Sequence, residues 1–404
     1  MRYFLFLVFC FYLNGCSINE KNASIISVEN LHNDTLTLDT HIDIPLTYMT
    51  EIDPSGTTEL QVDLPKLQKG NLDSGFWIVY TPQDYLTKEA YAEAVKIAEI
   101  RNNAIHALTK KHSDYFELAL KADDVSRIVN NGKHAVLIGM ENAFPLGENL
   151  KNVKIWAERG VRYMGITHFG HNQFGDSSNP STDRNETTSK WNGLSPLGRE
   201  LISSLNDAGI IVDVSHASKS TMMQAADLSR VPVIASHSGI KSINDNPRNL
   251  DDEQLLKLKE TGGVVQVVAY GSYVKGFTEE QKKTESRIML EFNLLSRSDV
   301  NNLGEDEKLE FEQARAELLG MEPLASVSDY VDHIDYAVKI AGIDHVGIAS
   351  DFDGGGGVIG WQDASESQNV TAELIKRGYS KSHIAKIWSE NLLRVMKEAE
   401  LGSR

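Results

Sequence analysis

Apolar residues in this chain form short unbroken runs that alternate with longer stretches of helical periodicity. The runs at residues 210–216 and 231–237, IIVDVSH and VPVIASH, are rich in β-branched residues and are bounded by Gly or Pro. They are too short for helices and too continuously apolar for a sheet with one face in water, so they predict buried parallel strands. Eight such runs occur, at residues 36–43, 75–80, 135–141, 163–168, 210–216, 231–237, 263–269 and 346–351.

The stretches between the runs predict helices. Residues 90–108 place Ala, Ile and Leu at helical spacing with one interruption, at Arg101. A second helix is predicted to begin after Ser195, an N-cap residue followed by Pro196 at the first helical position, and to end at Gly209. Eight strands that alternate with helices predict an α/β fold of the (β/α)8, or TIM barrel, type.

Two segments interrupt this alternation. Residues 179–192 are a polar loop, and residues 270–326 are a long charged insertion between strands seven and eight, predicted to be helical around residues 306–319. We expect both to be excursions from one barrel domain. The length of 404 residues, with 41% hydrophobic and 24% charged residues, is compatible with one barrel or with two domains. The formal net charge of -17 argues against a nucleic-acid partner, which would leave a basic footprint.

The N-terminus has the pattern of a secretory signal. Arg2 precedes an apolar run at residues 3–13, which is too short to span a bilayer and has the length of a signal-peptide core. The sequence LNGC that ends at Cys16 resembles the bacterial lipoprotein cleavage box, which implies cleavage after residue 15 and lipidation of the Cys16 thiol. We therefore expect a signal peptide at residues 1–15, a polar tether at 16–33 and the barrel domain at 34–404. The alternative is a plain secretory signal with an incidental Cys16.

Five residues with metal-binding side chains lie at carboxyl ends of predicted strands, which a barrel brings to one rim. Each alone has another interpretation, since a His-x-Asp pair also occurs in turns and a carboxylate after an apolar run also caps loops. Together, three imidazoles and two carboxylates suit a zinc-like divalent ion, and two ions bridged by a carboxylate would use all five. His134 and His345 precede strands three and eight, at the opposite rim, and receive no role. The five residues are His41, Asp43, Glu141, His216 and His237.

Three further groups belong to the same predicted rim. His168 ends strand four, Asp351 ends strand eight, and Arg248 follows strand six. From the residues alone, Asp351 is either another ligand or an acid-base group, and Arg248 is either a substrate-binding cation or half of a surface ion pair. The four glycines at residues 354–357 are similar to a phosphate-binding loop, but no Gly-Lys-Ser/Thr follows them, so we set that reading aside.

From about residue 38 to the C-terminus the sequence resembles the membrane (renal) dipeptidases, which are zinc peptidases with a TIM-barrel fold. The motifs that carry the resemblance are DTHIDIP, GMENAFPLG, GVRYMGITHFGHNQFGDSS, GLSPLGRELISSLNDAGIIVDVSHAS, PVIASHSG, NPRNL and DHVGIASDFDG, in that order. The resemblance implies that His41, Asp43 and Glu141 hold one zinc ion. It also implies that Glu141, His216 and His237 hold the second, with Glu141 as the bridge. Thr40 and Ile42 depart from the first motif of the family, which usually has Gly and Asn there, but the ligands are intact.

The resemblance also implies an activity and roles for the other rim residues. We expect hydrolysis of dipeptides, including those with a C-terminal D-residue, by a metal-bridging hydroxide. Asp351 would move a proton from the water to the leaving amine, His168 would stabilise the oxyanion, and Arg248 would bind the free carboxylate. The long insertion leaves the side-chain preference open, because it borders the expected pocket.

Two other functions compete with this one. The first is a different binuclear amidohydrolase acting on a lactone, cyclic amide or phosphoester; strand four lacks the lysine that bridges the metals in many such enzymes. The second is a non-catalytic surface lipoprotein that binds a ligand. Whichever of the three functions is correct, we expect the protein to be lipid-anchored in a bacterial cell envelope, periplasmic or surface-exposed. If it forms a homodimer, as family members often do, the single mature cysteine leaves no intersubunit disulfide.

Overall fold

The computed structural model describes residues 27–294, 303–319, 321 and 324–404. The predicted signal peptide, Cys16 and most of the predicted tether lie outside these residues. Within the described part of the chain, no helix is both long enough and apolar enough to cross a membrane.

Eight parallel strands form a barrel, as the sequence pattern predicts. Their order around the barrel is β1-β2-β4-β5-β6-β7-β8-β9. The remaining strand, β3, has only three residues and pairs with the start of β4 outside the barrel path, and no sequence pattern predicted it. The strands are β1 (Leu38–Ile42), β2 (Ser74–Tyr80), β3 (Phe116–Leu118), β4 (His134–Glu141), β5 (Val161–Gly165), β6 (Ile211–Asp213), β7 (Ile234–Ser238), β8 (Val264–Val268) and β9 (Val346–Ala349).

The barrel closes where the carboxyl ends of β1 and β9 meet. The Asp43 amide donates to the Phe352 carbonyl over 2.9 Å, and the Asp351 amide donates to the His41 carbonyl over 3.1 Å. These two bonds join the first and last barrel strands. They also bring Asp351 to the same point of the rim as His41 and Asp43, which lie about 310 residues earlier in the sequence.

Helices surround the barrel and begin and end near the predicted positions. The stripe at 90–108 lies in α3, and α6 begins after Ser195, whose Oγ accepts from the Gly198 amide over 2.9 Å. The helices are α1 (Val28–Asn33), α2 (Leu64–Gly70), α3 (Lys88–Lys111), α4 (Ala122–Asn130), α5 (Lys151–Glu158), α6 (Pro196–Asp207), α7 (Lys219–Leu228), α8 (Asp252–Glu260), α9 (Gly271–Val274), α10 (Glu279–Glu291), α11 (Glu305–Leu319), α12 (Val327–Ala341), α13 (Gln368–Lys376), α14 (Lys381–Ala385) and α15 (Asn391–Gly402).

Both faces of the barrel strands are buried, which explains why the runs are apolar without alternation. In β2, Phe76 and Ile78 belong to one apolar cluster, while Trp77 and Val79 belong to a second, larger one. The first cluster also contains residues of the C-terminal helix α15, among them Val395, and the second contains the inner faces of the surrounding helices. The strands are therefore packed between two apolar layers.

The insertion between β8 and α12 is helical, as predicted around residues 306–319. It contains α9, α10 and α11, and it begins to form helix earlier than the sequence pattern suggested. Ile288, Leu294, Phe311 and Leu318 form a small apolar core of its own. The segment therefore packs as an appendage beside the mouth of the barrel.

Candidate active site

All five predicted metal ligands meet at the carboxyl-end rim of the barrel. His41 lies within β1, Glu141 is the last residue of β4, and His237 lies within β7. His216 is three residues beyond β6, so the prediction that it ends the strand was wrong in detail. His41, Glu141, His216 and His237 are all at most 5% exposed, so their polar atoms are removed from bulk water.

The carboxylate of Glu141 lies at the centre of the cluster. Its Oε1 atom is 3.0 Å from His216 Nε2 and 3.3 Å from His237 Nε2. Its Oε2 atom is 3.7 Å from His41 Nε2, which is itself 3.4 Å from Asp43 Oδ2. The two oxygens of Glu141 thus face different sets of nitrogen and oxygen atoms, an arrangement in which one carboxylate can bridge two metal ions.

A hydrogen-bonded tyrosine orients the His41 ring. Tyr163 Oη donates to the Thr40 carbonyl over 3.0 Å, so it accepts from His41 Nδ1, also over 3.0 Å. Because the Nδ1 atom carries the proton, the Nε2 lone pair is directed into the cluster. The ring of Tyr163 needs the space above Gly139, where an added Cβ would lie 2.3 Å from the tyrosine ring.

A serine and an aspartate orient His237 in the same way. Ser236 Oγ donates to Asp213 Oδ2 over 2.8 Å, so it accepts from His237 Nδ1 over 2.8 Å. Asp213 also accepts from the amides of Ser236 and Ser215, and burial raises its pKa to about 6. This chain of bonds leaves the Nε2 lone pair of His237 free to face Glu141.

The buried nitrogen atoms of the cluster fit a divalent metal ion better than they fit hydrogen bonding. His41 Nε2, which faces Asp43 and Glu141, has no hydrogen-bond partner among the described residues. His216 Nε2 and His237 Nε2 are only 2.9 Å apart and point at the same carboxylate oxygen. Since unpaired buried polar atoms are costly, this convergence fits a group of residues that could hold a cation.

Burial and neighbouring charges both shift the pKa values of the cluster. Burial disfavours ionisation of Glu141, but the nearby His168 and His41 hold the pKa of its carboxyl well below the usual range. Burial lowers the pKa values of His216 and His237 well below the ordinary value, so both rings are neutral and can act as ligands. Burial opposes ionisation of His41 as well, but the charges of Glu141 and Asp43 raise its pKa well above the ordinary value, so the site combines an ionised carboxylate with two neutral imidazoles and one that its neighbours keep protonated.

Asp351 lies two residues beyond β9 and faces the same cluster. Its Oδ1 atom is 3.9 Å from His41 Nε2, and burial raises the pKa of its carboxyl well above the usual range. With His41 and Asp43 it forms a group that is also close enough to share an ion. The glycine run has a role here, because a Cβ on Gly354 would lie 2.2 Å from Asp43 Oδ2 and 2.6 Å from Asp351 Oδ1.

His168 packs against the His216 ring, and Arg248 contacts the backbone of His237. His168 is three residues beyond β5, and its Nε2 atom is 3.8 Å from Glu141 Oε1. Arg248 is buried instead of open on the rim: its Nη2 donates to the His237 carbonyl over 3.0 Å, while Nε has no hydrogen-bond partner. No carboxylate of the described chain pairs with Arg248, so the surface ion pair considered from the sequence does not form there.

A cavity of about 430 Å³ opens above the cluster. Besides predicted site residues, it is lined by residues for which the sequence predicted no role in the site. Tyr80, Tyr270 and Tyr273 form part of its wall, and the Arg248 guanidinium carbon is 5.4 Å from the centre of the Tyr273 ring. Arg101 lines the cavity as well, although it belongs to helix α3. The only signal for Arg101 was that it interrupts the apolar stripe of that helix.

Several rim residues have left-handed backbone conformations. The φ angles are 75° for Asn142, 63° for His216, 60° for Asp351 and 62° for Asp353. This region is unfavourable for residues with a Cβ atom, and such strain is concentrated at functional sites. The chain turns sharply after the strands, and the turns direct His216 and Asp351 into the cluster.

The sequence of the described barrel is similar to known proteins along almost its full length. The family model of "Membrane dipeptidase (Peptidase family M19)" matches residues 26–404. "Dipeptidase ataJ" of Aspergillus terreus is 30% identical over 412 residues, covering 94% of this chain and 88% of its own length. "Dipeptidase tcpJ" of Claviceps purpurea is 31% identical over 347 residues, covering 84% of this chain and 69% of its own length.

A solved structure has the same fold. The crystal structure of the probable dipeptidase PvdM from Pseudomonas aeruginosa superposes with a TM-score of 0.85 and 36% sequence identity. The match covers 93% of this chain and 98% of PvdM.

Proposed function

Because the chain belongs to the membrane dipeptidase family (peptidase family M19) and is a metallodipeptidase, we propose that it hydrolyses free dipeptides, including those with a C-terminal D-residue, with two zinc ions. The observation that carries the proposal is that the two oxygens of the Glu141 carboxylate face different histidines. One oxygen faces His216 and His237, and the other faces His41. Three imidazoles and two carboxylates are a donor set that zinc accepts.

The residues of the cluster divide naturally between two ions. His41, Asp43 and Glu141 would hold one, and Glu141, His216 and His237 would hold the other. When bound, such a pair supplies a water of lowered pKa and polarises the scissile carbonyl. The protein itself then has to position the dipeptide, move the proton and neutralise the developing charge.

Asp351 is positioned to move the proton. It lines the cavity and lies against the His41 side of the cluster. In the proposed reaction its carboxylate accepts a proton from the attacking water and transfers it to the leaving nitrogen as the C–N bond breaks. A protein nucleophile is not needed for this reaction.

His168 and Arg248 are proposed to bind two different groups of the dipeptide, the scissile carbonyl and the C-terminal carboxylate. His168 lines the cavity on the Glu141 side, where it can donate a hydrogen bond to the oxyanion that forms from the scissile carbonyl. Arg248 is the buried cation behind Tyr273 and is proposed to bind the free C-terminal carboxylate of the dipeptide. Recognition of that carboxylate limits the substrate to two residues.

The proposal is tested with zinc-loaded protein and the substrates L-Ala-L-Ala and L-Ala-D-Ala. We expect close to two ions per chain by elemental analysis, turnover of both dipeptides, and loss of turnover after chelation. Chelation should also lower the melting temperature, because ions bound only by the native state stabilise it. One ion per chain in fully active protein would contradict the two-ion site, and absence of turnover on any dipeptide would contradict the activity.

We also propose that Cys16 is lipidated and anchors the enzyme in a bacterial cell envelope. The support is the LNGC sequence after an apolar run of signal-peptide length. Cys16→Ser should move the protein from the membrane fraction to the soluble fraction without changing turnover of detergent-solubilised material. Continued membrane association of that variant would contradict the anchor.

A further inference from the structure

Arg101 is a cation that lines the active-site cavity, and it follows a barrel strand on the opposite side of the barrel from Arg248. It belongs to α3, which follows the second barrel strand, whereas Arg248 follows the sixth. In a barrel of eight strands, the second and sixth lie across from one another. A molecule bound at Arg248 and extended over the cluster therefore points towards Arg101.

Two contacts fix the position of the Arg101 guanidinium. Its Nε donates to the Ile44 carbonyl over 3.1 Å, and its central carbon lies 5.4 Å from the centre of the Tyr80 ring. The remaining donors, on Nη1 and Nη2, make no hydrogen bond to any described residue, and Nη1 is buried. The Ile44 carbonyl therefore holds the guanidinium at Nε, and the two terminal nitrogens are left without a protein partner among the described residues.

Arg101 also has no counter-ion in the described chain. No carboxylate lies within 4 Å of it, whereas Arg377, another partly buried arginine, pairs with Asp332, Asp335 and Glu373. The carboxylates nearest in the cavity, Asp43 and Glu141, belong to the proposed metal cluster. A partly buried cation without a partner is costly, so its persistence here indicates that a ligand supplies the missing charge.

We infer that Arg101 selects dipeptides whose N-terminal residue carries a carboxylate side chain, that is, Asp or Glu. The inference rests on the proposed dipeptidase activity, which places the C-terminal carboxylate of the substrate at Arg248. With that end fixed and the scissile bond over the cluster, the N-terminal side chain extends towards β2 and reaches the Arg101 guanidinium, which lines the cavity. A guanidinium forms a charge-assisted hydrogen bond with a carboxylate, which a neutral amide of the same shape cannot reproduce.

The test compares pairs of substrates that have the same shape and differ in charge. The ratio of kcat/KM for Glu-Ala over Gln-Ala, and for Asp-Ala over Asn-Ala, is measured on the detergent-solubilised, zinc-loaded full chain. For at least one pair we expect a ratio of roughly 10 or more, the usual contribution of a charge-assisted pair. Ala-Glu and Ala-Gln, with the charge on the second residue, should not show the same dependence on Arg101.

Three variants assign the selectivity to this residue. Arg101→Met should reduce the ratio to about 1, and Arg101→Lys should keep part of it, since a point charge remains. Arg127→Met is the matched control, because Arg127 is an exposed arginine on α4 that pairs with Glu117 and Asp124 outside the cavity. The control should keep the wild-type ratio.

The outcomes separate this inference from the activity on which it rests. Turnover of Ala-Ala with a wild-type ratio near 1 for both pairs overturns the role of Arg101 and leaves the dipeptidase proposal standing. A ratio that survives in Arg101→Met also overturns it. Absence of turnover on every dipeptide, Ala-Ala included, would overturn both. Since the wild-type ratio is measured first, the inference stays falsifiable even if Arg101→Met fails to fold.

Discussion

Buried histidines occur in two regions of this protein, and their hydrogen bonds differ. Away from the rim, His333 accepts from the Ile240 amide through Nδ1 and donates to the Val274 carbonyl through Nε2. His32 bonds Thr371 Oγ1 and the Gly70 carbonyl. At the rim, His41 Nε2 and His216 Nδ1 have no such partner among the described residues. Equally buried histidines therefore differ in their hydrogen bonds, and the unpaired nitrogens at the rim support the proposal that histidines of this region bind metal.

The strongest test of this contrast replaces one histidine in each region with glutamine and compares the two variants. His237→Gln should lower turnover by roughly 10⁴-fold or more, because several kcal/mol of transition-state stabilisation depend on the bound ion. His333→Gln should leave turnover unchanged and lower the stability of the metal-free protein, since the buried groups that it leaves unpaired cost about 1 to 3 kcal/mol each. Turnover and chemical unfolding are measured on both variants. Equal effects of the two substitutions on turnover would remove the distinction between the regions.

Asp351→Asn tests whether the carboxylate beside the histidines acts on protons or on the metal. The amide keeps the shape but cannot carry the proton, so turnover should fall by roughly 10²- to 10⁴-fold while the metal content stays the same. Asp73→Asn is the control: that carboxyl also has a pKa raised by burial, to about 6, but lies at the start of β2 and accepts from Thr37. Loss of an ion from Asp351→Asn would instead identify Asp351 as a ligand.

Arg248→Met tests the buried cation that bonds the His237 carbonyl and has no counter-ion in the described chain. Loss of a charge-assisted bond should lower kcat/KM for free dipeptides by roughly 10- to 150-fold. A dipeptide amidated at its C-terminus should be a poor substrate already and should lose little more, because its partner charge is absent. Equal losses on the two substrates would show that Arg248 supports the His237 backbone instead.

Ser236→Ala tests the bonds that direct His237 towards the cluster. Removing the hydroxyl between Asp213 and His237 should weaken metal affinity by roughly 10- to 100-fold, the usual effect of a residue that orients a ligand. Ser367→Ala is a matched control, since Ser367 is equally buried and its hydroxyl accepts from Trp361 Nε1 and donates to the Ala364 carbonyl, with no bond to the histidines of the cluster. Competition with a metal-sensitive chelator measures the affinity. An unchanged affinity would show that packing alone orients His237.

The smallest expected effect is a pH dependence of stability from His333. Burial lowers the pKa of this ring below 6.5, so the folded protein holds it neutral. Below about pH 6.5 the unfolded chain binds the proton more readily, and the free energy of unfolding should fall by at most about 1.4 kcal/mol per pH unit. Urea unfolding of metal-free protein at pH 7 and pH 5 should show a smaller difference in His333→Gln than in the wild type. An equal difference would contradict this assignment.

Much of the fold was predictable because it depends on local patterns. Unbroken apolar runs reveal strands that are buried on both faces, and all eight appear in the barrel. The convergence of His41, Asp43, Glu141, His216 and His237 follows from the same pattern, since parallel strands bring their carboxyl ends to one rim.

The parts that were missed depend on contacts between distant segments. β3 is a three-residue strand with one fully buried side chain, too short to produce a pattern. Arg101 reaches the cavity only because α3 packs beside Ile44 and Tyr80, and the bonds from Asp213 to His237 join two strands. Sequence spacing contains no information about such contacts, so the structure was needed to find them.

The left-handed turns at the rim have a consequence for the evolution and engineering of this enzyme. Asn142, His216, Asp351 and Asp353 each hold a conformation that costs on the order of 1 kcal/mol or more, while an entire domain is stable by only about 5 to 15 kcal/mol. Glycine would relieve the strain at any of these positions, but at His216 or Asp351 it would delete the side chain that the turn directs. With the roles proposed for His216 and Asp351, selection for heat resistance alone would favour variants that lose catalysis, so a library designed for thermostability should hold these two positions constant.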